Sequence, residues 1–317
     1  MTGGMTRVEE HRDQSIDVVI PVCRPDERLL LILKRLRSQS RPVGKIYIIH
    51  TKSGDFPASA ETLEDVVVKH IEPEEFDHGG TRDMGLRLSG AGIVVFMTQD
   101  AVPADRELIQ RLVRPLLEQE DVGVSYARQL PAENCSPAER YTRRFNYPGE
   151  SRVKGKEDIG ELGIKTFFCS DVCAAYRREI YDKMGGFTKK TIFNEDMVMA
   201  AHMVRAGYKV AYAADARVIH SHNYTGIQQF RRNFDLAVSQ ADHPEVFAGI
   251  RSEDEGIRMV KQTALYLLKS KRAHLIPALV CQSGCKYAGY RLGLCYRKLP
   301  PWVIRKCTGN KLYWLKS

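Results

Sequence analysis

Residues 93–103 read I-V-V-F-M-T-Q-D-A-V-P. Five apolar residues in a row, three of them β-branched, leave no polar face. They predict a strand buried on both sides, the environment of a central parallel strand. The run stops at Thr98, and Pro103 predicts a helix start, with Leu108, Leu112, Val113 and Leu116 on one stripe of that helix. The same alternation extends outward. I-D-V-V-I-P-V at 16–22 predicts a buried strand. Pro25 then opens a helix with Asp26 and Glu27 in its first turn and Leu29, Ile32, Leu33 and Leu36 on its core face. Residues 45–50, 66–71 and 122–127 predict further strands, and 81–89 a helix stopped by Gly90 and Gly92. Strands and helices alternating at this spacing make βαβ units and a mostly parallel, doubly wound α/β sheet.

The length of 317 residues allows one large α/β domain with an appendage, and 43% hydrophobic against 27% charged residues excludes a disordered chain. The formal net charge of +9 is unevenly placed. Residues 261–317 hold 12 Lys and Arg and no acid, which leaves the first 260 residues at −3. A nucleic-acid binder carries its basic residues around the working site, so nucleic acid is not expected as a partner. Trp302 and Trp314 also lie in the basic tail. Basic residues with Trp and Tyr suit an anionic membrane surface, and a solvated basic helix pair is the alternative.

The longest apolar runs, 93–97 and 275–281, are far short of the ~18–20 residues of a spanning helix. Residues 1–15 are polar, without the apolar core of a signal peptide. The eight cysteines are scattered, mostly in apolar stretches that read as core. The pairs Cys169/Cys173 and Cys281/Cys285 have no second ligand pair nearby and read as reduced thiols, not a zinc site. The expected location is cytoplasmic.

After Gln129 the alternation stops. Residues 130–165 predict a helix at 138–144 and a long loop, in which Arg152, Lys154 and Lys156 suit a phosphate or only solvent. Residues 166–176 resume as strand or turn, and Asn194 caps a helix beginning Glu195-Asp196.

Open α/β sheets bind ligands outside the carboxyl ends of their strands. Asp100, three residues past the strand at 93–97, projects into that crevice as a ligand for a hard divalent cation or as a helix cap. Glu195 and Asp196 at a helix start either stabilise the helix dipole or supply a general base. His220-Ser221-His222 follows the strand-like 216–219. An i, i+2 pair on a strand puts both imidazoles on one face, a geometry for a metal or phosphate, with surface histidines as the rival. His78-Gly79-Gly80-Thr81-Arg82 joins a glycine-permitted turn to a helix start, with Arg82 placed to pair with a phosphate.

Taken in order, V-V-I-P-V (18–22), H-G-G-T-R (78–82), T-Q-D-A (98–101), G-G-F (185–187), N-E-D (194–196) and H-S-H (220–222) resemble family 2 glycosyltransferases of the GT-A fold, and among them bacterial rhamnosyltransferases. The resemblance spans about residues 16–247. It implies a GT-A nucleotide-diphospho-sugar transferase domain at 15–247, a mostly parallel Rossmann-like sheet with flanking helices, and a basic, mainly helical extension at 248–317. It assigns Asp100 to a Mg²⁺ or Mn²⁺ ion that bridges the donor diphosphate, with His220 near the metal. Pro21, Val22, His50, Arg82 and Gln99 fall to the donor site. Asp196 becomes the base that deprotonates the acceptor hydroxyl, with Glu195 beside it. The implied activity is inverting transfer of a sugar, L-rhamnose from dTDP-L-rhamnose, to a glycan or polyprenyl-diphosphate-linked acceptor in surface-polysaccharide assembly.

Three positions depart from the family pattern. Thr98 replaces the first acid of Asp-x-Asp, His202 stands where Arg is frequent, and Asp83 follows Thr81-Arg82 where Asn is common. A nucleotidyltransferase using the same metal–nucleotide site is the rival enzyme; it leaves the Glu195-Asp196 pair without a purpose. The non-enzymatic rival is a membrane- or polyanion-binding module on an inactive scaffold. With a transferase, the +12 tail acquires a role of its own, holding the catalyst at the inner face of the membrane, where a lipid-linked acceptor resides.

Overall fold

The computed structural model describes residues 14–248 and 253–315. Most of the polar stretch at 1–15 therefore lies outside the described residues. So do 249–252, beside the expected boundary at 247/248, and the last two residues.

Nine strands are present among the described residues. They are β1 (Ile16–Cys23), β2 (Ile46–Thr51), β3 (Val66–Ile71), β4 (Ile93–Met97), β5 (Val102–Pro103), β6 (Val122–Leu130), β7 (Arg152–Lys154), β8 (Cys173–Arg177) and β9 (Lys209–Ile219). The longer helices are α1 (Glu27–Leu36), α2 (His78–Leu88), α3 (Leu108–Glu118), α4 (Pro137–Asn146), α5 (Arg178–Lys183), α6 (Glu195–Arg205), α7 (Gly226–Asp242), α8 (Glu253–Lys269), α9 (Ile276–Leu294) and α10 (Pro301–Cys307). The chain divides into two compact units. Among the described residues, one comprises those up to Leu130, Pro148–Lys189 and Glu195–His220; the other comprises Pro131–Tyr147, Lys190–Asn194 and those from Ser221 onward.

The first unit is the sheet, in the order β3-β2-β1-β4-β8-β6-β9-β5, with β7 on β9. The pairs β3–β2–β1–β4 are all parallel, as the apolar runs predict. The rest is mixed, a departure from a mostly parallel sheet: β8 is antiparallel to β4 and β6, while β6 and β9 are parallel. β6 leaves the sheet at its carboxyl edge, and after the irregular excursion β8 re-enters from that edge. The intervening chain runs along β9 as β7 and comes back to that edge before Cys173, so β8 points antiparallel to β4. The stripes Leu29, Ile32, Leu33, Leu36 and Leu108, Leu112, Val113, Leu116 are all buried in one core with β1, β2 and β4.

Two local readings change. Pro103 does not open a helix: it pairs with Val218 in β5, an edge strand where a missing N–H leaves no gap in the ladder, and α3 begins at Leu108. Gly79 and Gly80 do not form a turn but belong to the first turn of α2, capped by the Asp77 side chain, which accepts from Gly80 N at 2.6 Å. Their small size is what matters. A Cβ at Gly79 would lie 2.4 Å from Thr188 O, and one at Gly85 would lie 2.3 Å from Val19 Cγ1.

The second unit is helical and takes in α4 besides the helices of the basic tail. α7 and α9 approach closely: a Cβ on Gly289 would meet Phe230 O at 2.2 Å, and one on Gly293 would meet Phe234 O at 2.4 Å. α9 is thus an integral part of a packed unit, with a core formed by Ile192, Phe234, Val238, Ile304 and Cys307. Trp314 packs against that core, whereas Trp302 is 63% exposed. The two tryptophans therefore do not share a surface role. Of the eight cysteines, all free, only Cys135, Cys169, Cys173 and Cys307 are buried, fewer than the apolar contexts imply. No helix among the described residues is long and apolar enough to cross a membrane.

Candidate active site

The carboxyl edge of the sheet gathers the chemistry-bearing residues of the first unit. β4 delivers Asp100 three residues beyond Met97, and β9 delivers His220 one residue beyond Ile219. His220 Nε2 lies 3.5 Å from Asp100 Oδ1, and both side chains are largely buried. The strand ends before His220, so His220 and His222 follow the strand and are not part of it. His220 is instead fixed by its other nitrogen: Nδ1 is 2.9 Å from Gln129 Oε1, and Gln129 Nε2 donates to Ser170 Oγ at 2.9 Å. With the amide oriented by Ser170, Nδ1 is the donor to Gln129, and Nε2 is the nitrogen turned toward Asp100. A ligating histidine uses this arrangement. A carboxylate beside an oriented imidazole fits a divalent cation of the Mg²⁺/Mn²⁺ type.

Arg82 is sunk in the interior, with 8% of its side chain exposed. Its Nη1 is 2.9 Å from Glu195 Oε1 and donates to His78 O at 3.0 Å, while Nε is 3.4 Å from Asp171 Oδ2. Its charge is engaged by protein carboxylates. Asp171 accepts the Tyr176 hydroxyl at 2.7 Å, and burial pushes its carboxyl well above the usual range, against the pull of Arg82. Asp196, in the first turn of α6, is half-buried, and its carboxylate accepts from Asp171 N at 3.1 Å and from Met197 N at 2.7 Å. One guanidinium cannot neutralise three carboxylates. Desolvation first, and then the neighbouring Glu195 charge, raise the Asp196 carboxyl to about 7. A partly accessible carboxylate that exchanges its proton near neutrality has the properties of a general base.

The residues expected around the donor are distributed along the first strands. Gln99 bridges β4 to the end of β1: its Oε1 accepts from Cys23 N at 2.7 Å, and its Nε2 donates to Cys23 O at 2.8 Å. Val22 is buried and stands in register with His50, and Pro21 with Ile49. His50 is also buried, its Nδ1 2.9 Å from His70 Nδ1 and its ring 4.7 Å from Phe56, and burial lowers its pKa. Arg82, Glu195 and Asp196 thus come together in one network, Asp100 and His220 in another, and His50 in a third.

Sequence reasoning missed Asp171 and Gln129. Asp171 falls in a stretch too short and mixed to distinguish strand from turn, and the only signal for Gln129 was its place at the end of a strand. Arg152 pairs with Asp158 and Glu161, and Lys154 is buried, donating to Lys165 O and Phe168 O. Neither is a free phosphate contact.

A model of the family described as glycosyl transferase family 2 matches residues 17–185, ending ahead of Glu195, Asp196 and His220. The chain is 38% identical over 304 residues to the O-antigen chain rhamnosyltransferase RfbN of Salmonella typhimurium, covering 94% of this chain and 96% of that protein. It is also 38% identical to the O-antigen chain rhamnosyltransferase WbaN of Salmonella anatum, over 88% of each chain. Among solved structures, the mannosyltransferase PcManGT of Pyrobaculum calidifontis, in complex with GDP-Man and Mn²⁺, superposes with a TM-score of 0.55 at 17% identity, covering 95% of this chain and 84% of that one. TarS 1-349 of S. aureus in complex with UDP-GlcNAc gives 0.54 at 11% identity, over 90% and 92%. At those identities the structures establish the shared GT-A fold.

Proposed function

This chain belongs to glycosyl transferase family 2, and from that premise we propose that it transfers L-rhamnose from dTDP-L-rhamnose, with inversion, to a glycan or polyprenyl-diphosphate-linked acceptor in surface-polysaccharide biosynthesis. The observation that carries the mechanism is the Asp196 carboxyl, tied by two backbone amides and raised to about 7. Asp196 takes the proton of the acceptor hydroxyl as that oxygen attacks the anomeric carbon. The bond from that carbon to the diphosphate oxygen breaks, and the nucleoside diphosphate leaves with the electron pair. Attack opposite the leaving group inverts the configuration.

Each neighbouring residue contributes to this reaction. Glu195, bound to Arg82, sits beside Asp196 and helps to raise its proton affinity. Arg82 holds Glu195 and Asp171, and through Asp171 the amide that orients Asp196. Gln99 fixes the end of β1, where Pro21 and Val22 border the nucleotide, and the His50 cluster closes the end of β2. Asp100 and His220 would hold a divalent cation, Mg²⁺ or Mn²⁺, which would supply positive charge against the departing diphosphate. The rhamnosyl donor is supported by the 38% identity to two rhamnosyltransferases along nearly the whole chain.

For location we propose peripheral attachment to the cytoplasmic face of an anionic membrane through residues 261–317, with 15–247 as the catalytic portion. Leu265, Leu268, Val280, Tyr287 and Trp302, each more than half exposed on the basic tail, support this reading. The test of function is transfer from dTDP-L-rhamnose to a lipid-linked acceptor by the purified chain, wild type against Asp196→Asn. Wild-type turnover in the variant overturns the assignment of the base.

A further inference from the structure

The helical unit encloses a cavity of about 250 Å³ between α4, the 222–229 segment that begins α7, and α9. Most polar groups on its wall are already committed. Ser136 Oγ accepts from Glu139 N, Ser283 donates to Leu279 O, and Asn223 accepts from Ser136 N while donating to Asn134 O. Three are not. Gln229 on α7 and Gln282 and Lys286 on α9 line the cavity with side chains that have no hydrogen-bond or ion-pair partner among the described residues.

Lys286 is half-buried, and desolvation lowers its pKa. Glu139 acts in the opposite sense but is itself paired with Arg143 at 2.6 Å, and Arg143 and Arg232 reinforce the effect of burial. The local charge is therefore net positive. Glu139 also lines the cavity, but its carboxylate is held by Arg143; an ammonium with no ion-pair partner of its own, beside two uncommitted amides, presents convergent donors to an anion. The volume lies below the ~300–1,000 Å³ of sites for drug-sized ligands, which restricts the occupant to a small group. His222 and Tyr224, stacked with ring centroids 4.8 Å apart, form one wall.

We propose that this cavity binds a phosphate group of the acceptor, the diphosphate that joins the acceptor glycan to its lipid, through Lys286, Gln282 and Gln229. The proposal rests on the reading of the chain as a transferase with a lipid-linked acceptor. It makes the acceptor's linkage group, and not only its terminal sugar, a determinant of recognition. No bond is made or broken at this site.

The experiment has two arms. In the first, inorganic pyrophosphate is titrated by calorimetry in EDTA into the full chain carrying Asp100→Ala, so that the donor phosphate site is disabled. Adding Lys286→Gln is expected to weaken binding at least tenfold, and Lys286→Arg to preserve it. In the second, KM is measured for a diphosphate-linked acceptor and for the same glycan on a neutral alkyl group. Lys286→Gln is expected to raise the first KM at least tenfold and to leave the second, and the donor KM, unchanged. Gln282→Ala gives the same pattern more weakly and covers the case in which Lys286→Gln fails to fold. Equal pyrophosphate binding with and without Lys286, or an equal loss with both acceptors, overturns the proposal. Lys286-dependent pyrophosphate binding in a chain that transfers sugar to no acceptor supports the anion site and overturns the transferase reading on which its biological occupant rests.

Discussion

The main-chain N–H of Asp171 donates to Oδ2 of Asp196 at 3.1 Å, so the residue that leads into β8 fixes the carboxylate that opens α6. The bond orients the proposed base, and Arg82 anchors it from behind by holding the Asp171 side chain. A substitution in this chain of contacts separates chemistry from stability according to the link it breaks.

Asp196→Asn removes the base and keeps most of the shape. Turnover is expected to fall by ~10²–10⁴, the usual contribution of general-base catalysis, with donor binding retained. The wild-type rate has a defined pH sense. The base works deprotonated, and its carboxyl is raised to about 7, so kcat/KM rises with pH and reaches half its limit near that value. A wild-type profile flat between pH 5 and 9 contradicts the assignment.

Arg82→Met leaves Glu195 and Asp171 buried without their cation. Removing one partner of a buried ion network costs about 3–5 kcal/mol, which denaturant titration resolves as a lower unfolding midpoint. An unchanged midpoint shows that the network carries no such weight.

Gln129→Leu deprives His220 Nδ1 of its acceptor without touching the ligating nitrogen. Mn²⁺ affinity in the presence of nucleoside diphosphate is expected to fall about 10–100-fold, the usual effect of losing an outer partner of a metal ligand. His220→Ala is expected to fall further. Equal Mn²⁺ affinity in wild type and both variants removes His220 from the metal site.

Gln99→Ala breaks both bonds to Cys23, each worth about 0.5–1.5 kcal/mol. The end of β1 loosens, and the donor KM is expected to rise roughly tenfold while kcat changes less. The opposite split, kcat falling with KM constant, places Gln99 with the chemistry and not with donor positioning.

Membrane attachment is best tested by charge reversal. Deleting 261–317 removes α9 from α7 and takes Ile304 and Cys307 out of the core, so it is expected to unfold the helical unit. Arg305→Glu with Lys306→Glu changes two exposed side chains and leaves the buried core intact, losing only the Lys306 contact with the exposed Trp302 ring, and each basic residue near an anionic surface contributes ~1 kcal/mol. Sedimentation with phosphatidylglycerol vesicles is expected to drop at least tenfold in the double variant, and in the wild type to weaken with added salt. Equal sedimentation of the two proteins removes this part of the tail from the membrane contact.

The parallel half of the sheet was legible because its strands are uninterrupted apolar runs, and α1 and α3 because their stripes repeat at helical spacing. The turn to an antiparallel β8 was not, since direction depends on the path of the irregular segment before it. Likewise His78-Gly79-Gly80 reads as a glycine-permitted turn, whereas both glycines lie in the first turn of α2 and are needed for close packing. The neighbours are distant in one case and local in the other: Thr188 O beside Gly79 and the capping Asp77 carboxylate beside Gly80.

By itself the sequence determined which side chains can do chemistry and the order in which they occur: Asp100 after one strand, Glu195-Asp196 at a helix start, His220 after another strand. That much is local, since strand ends and helix starts are written in neighbouring residues. Which groups share a charge was decided only by the tertiary structure. Asp171 meets Arg82 across 89 positions of sequence, and Gln129 meets His220 across 91. Their proton affinities and orientations follow from burial and contact, which are set by how distant segments pack and have no signature in any short stretch of the chain.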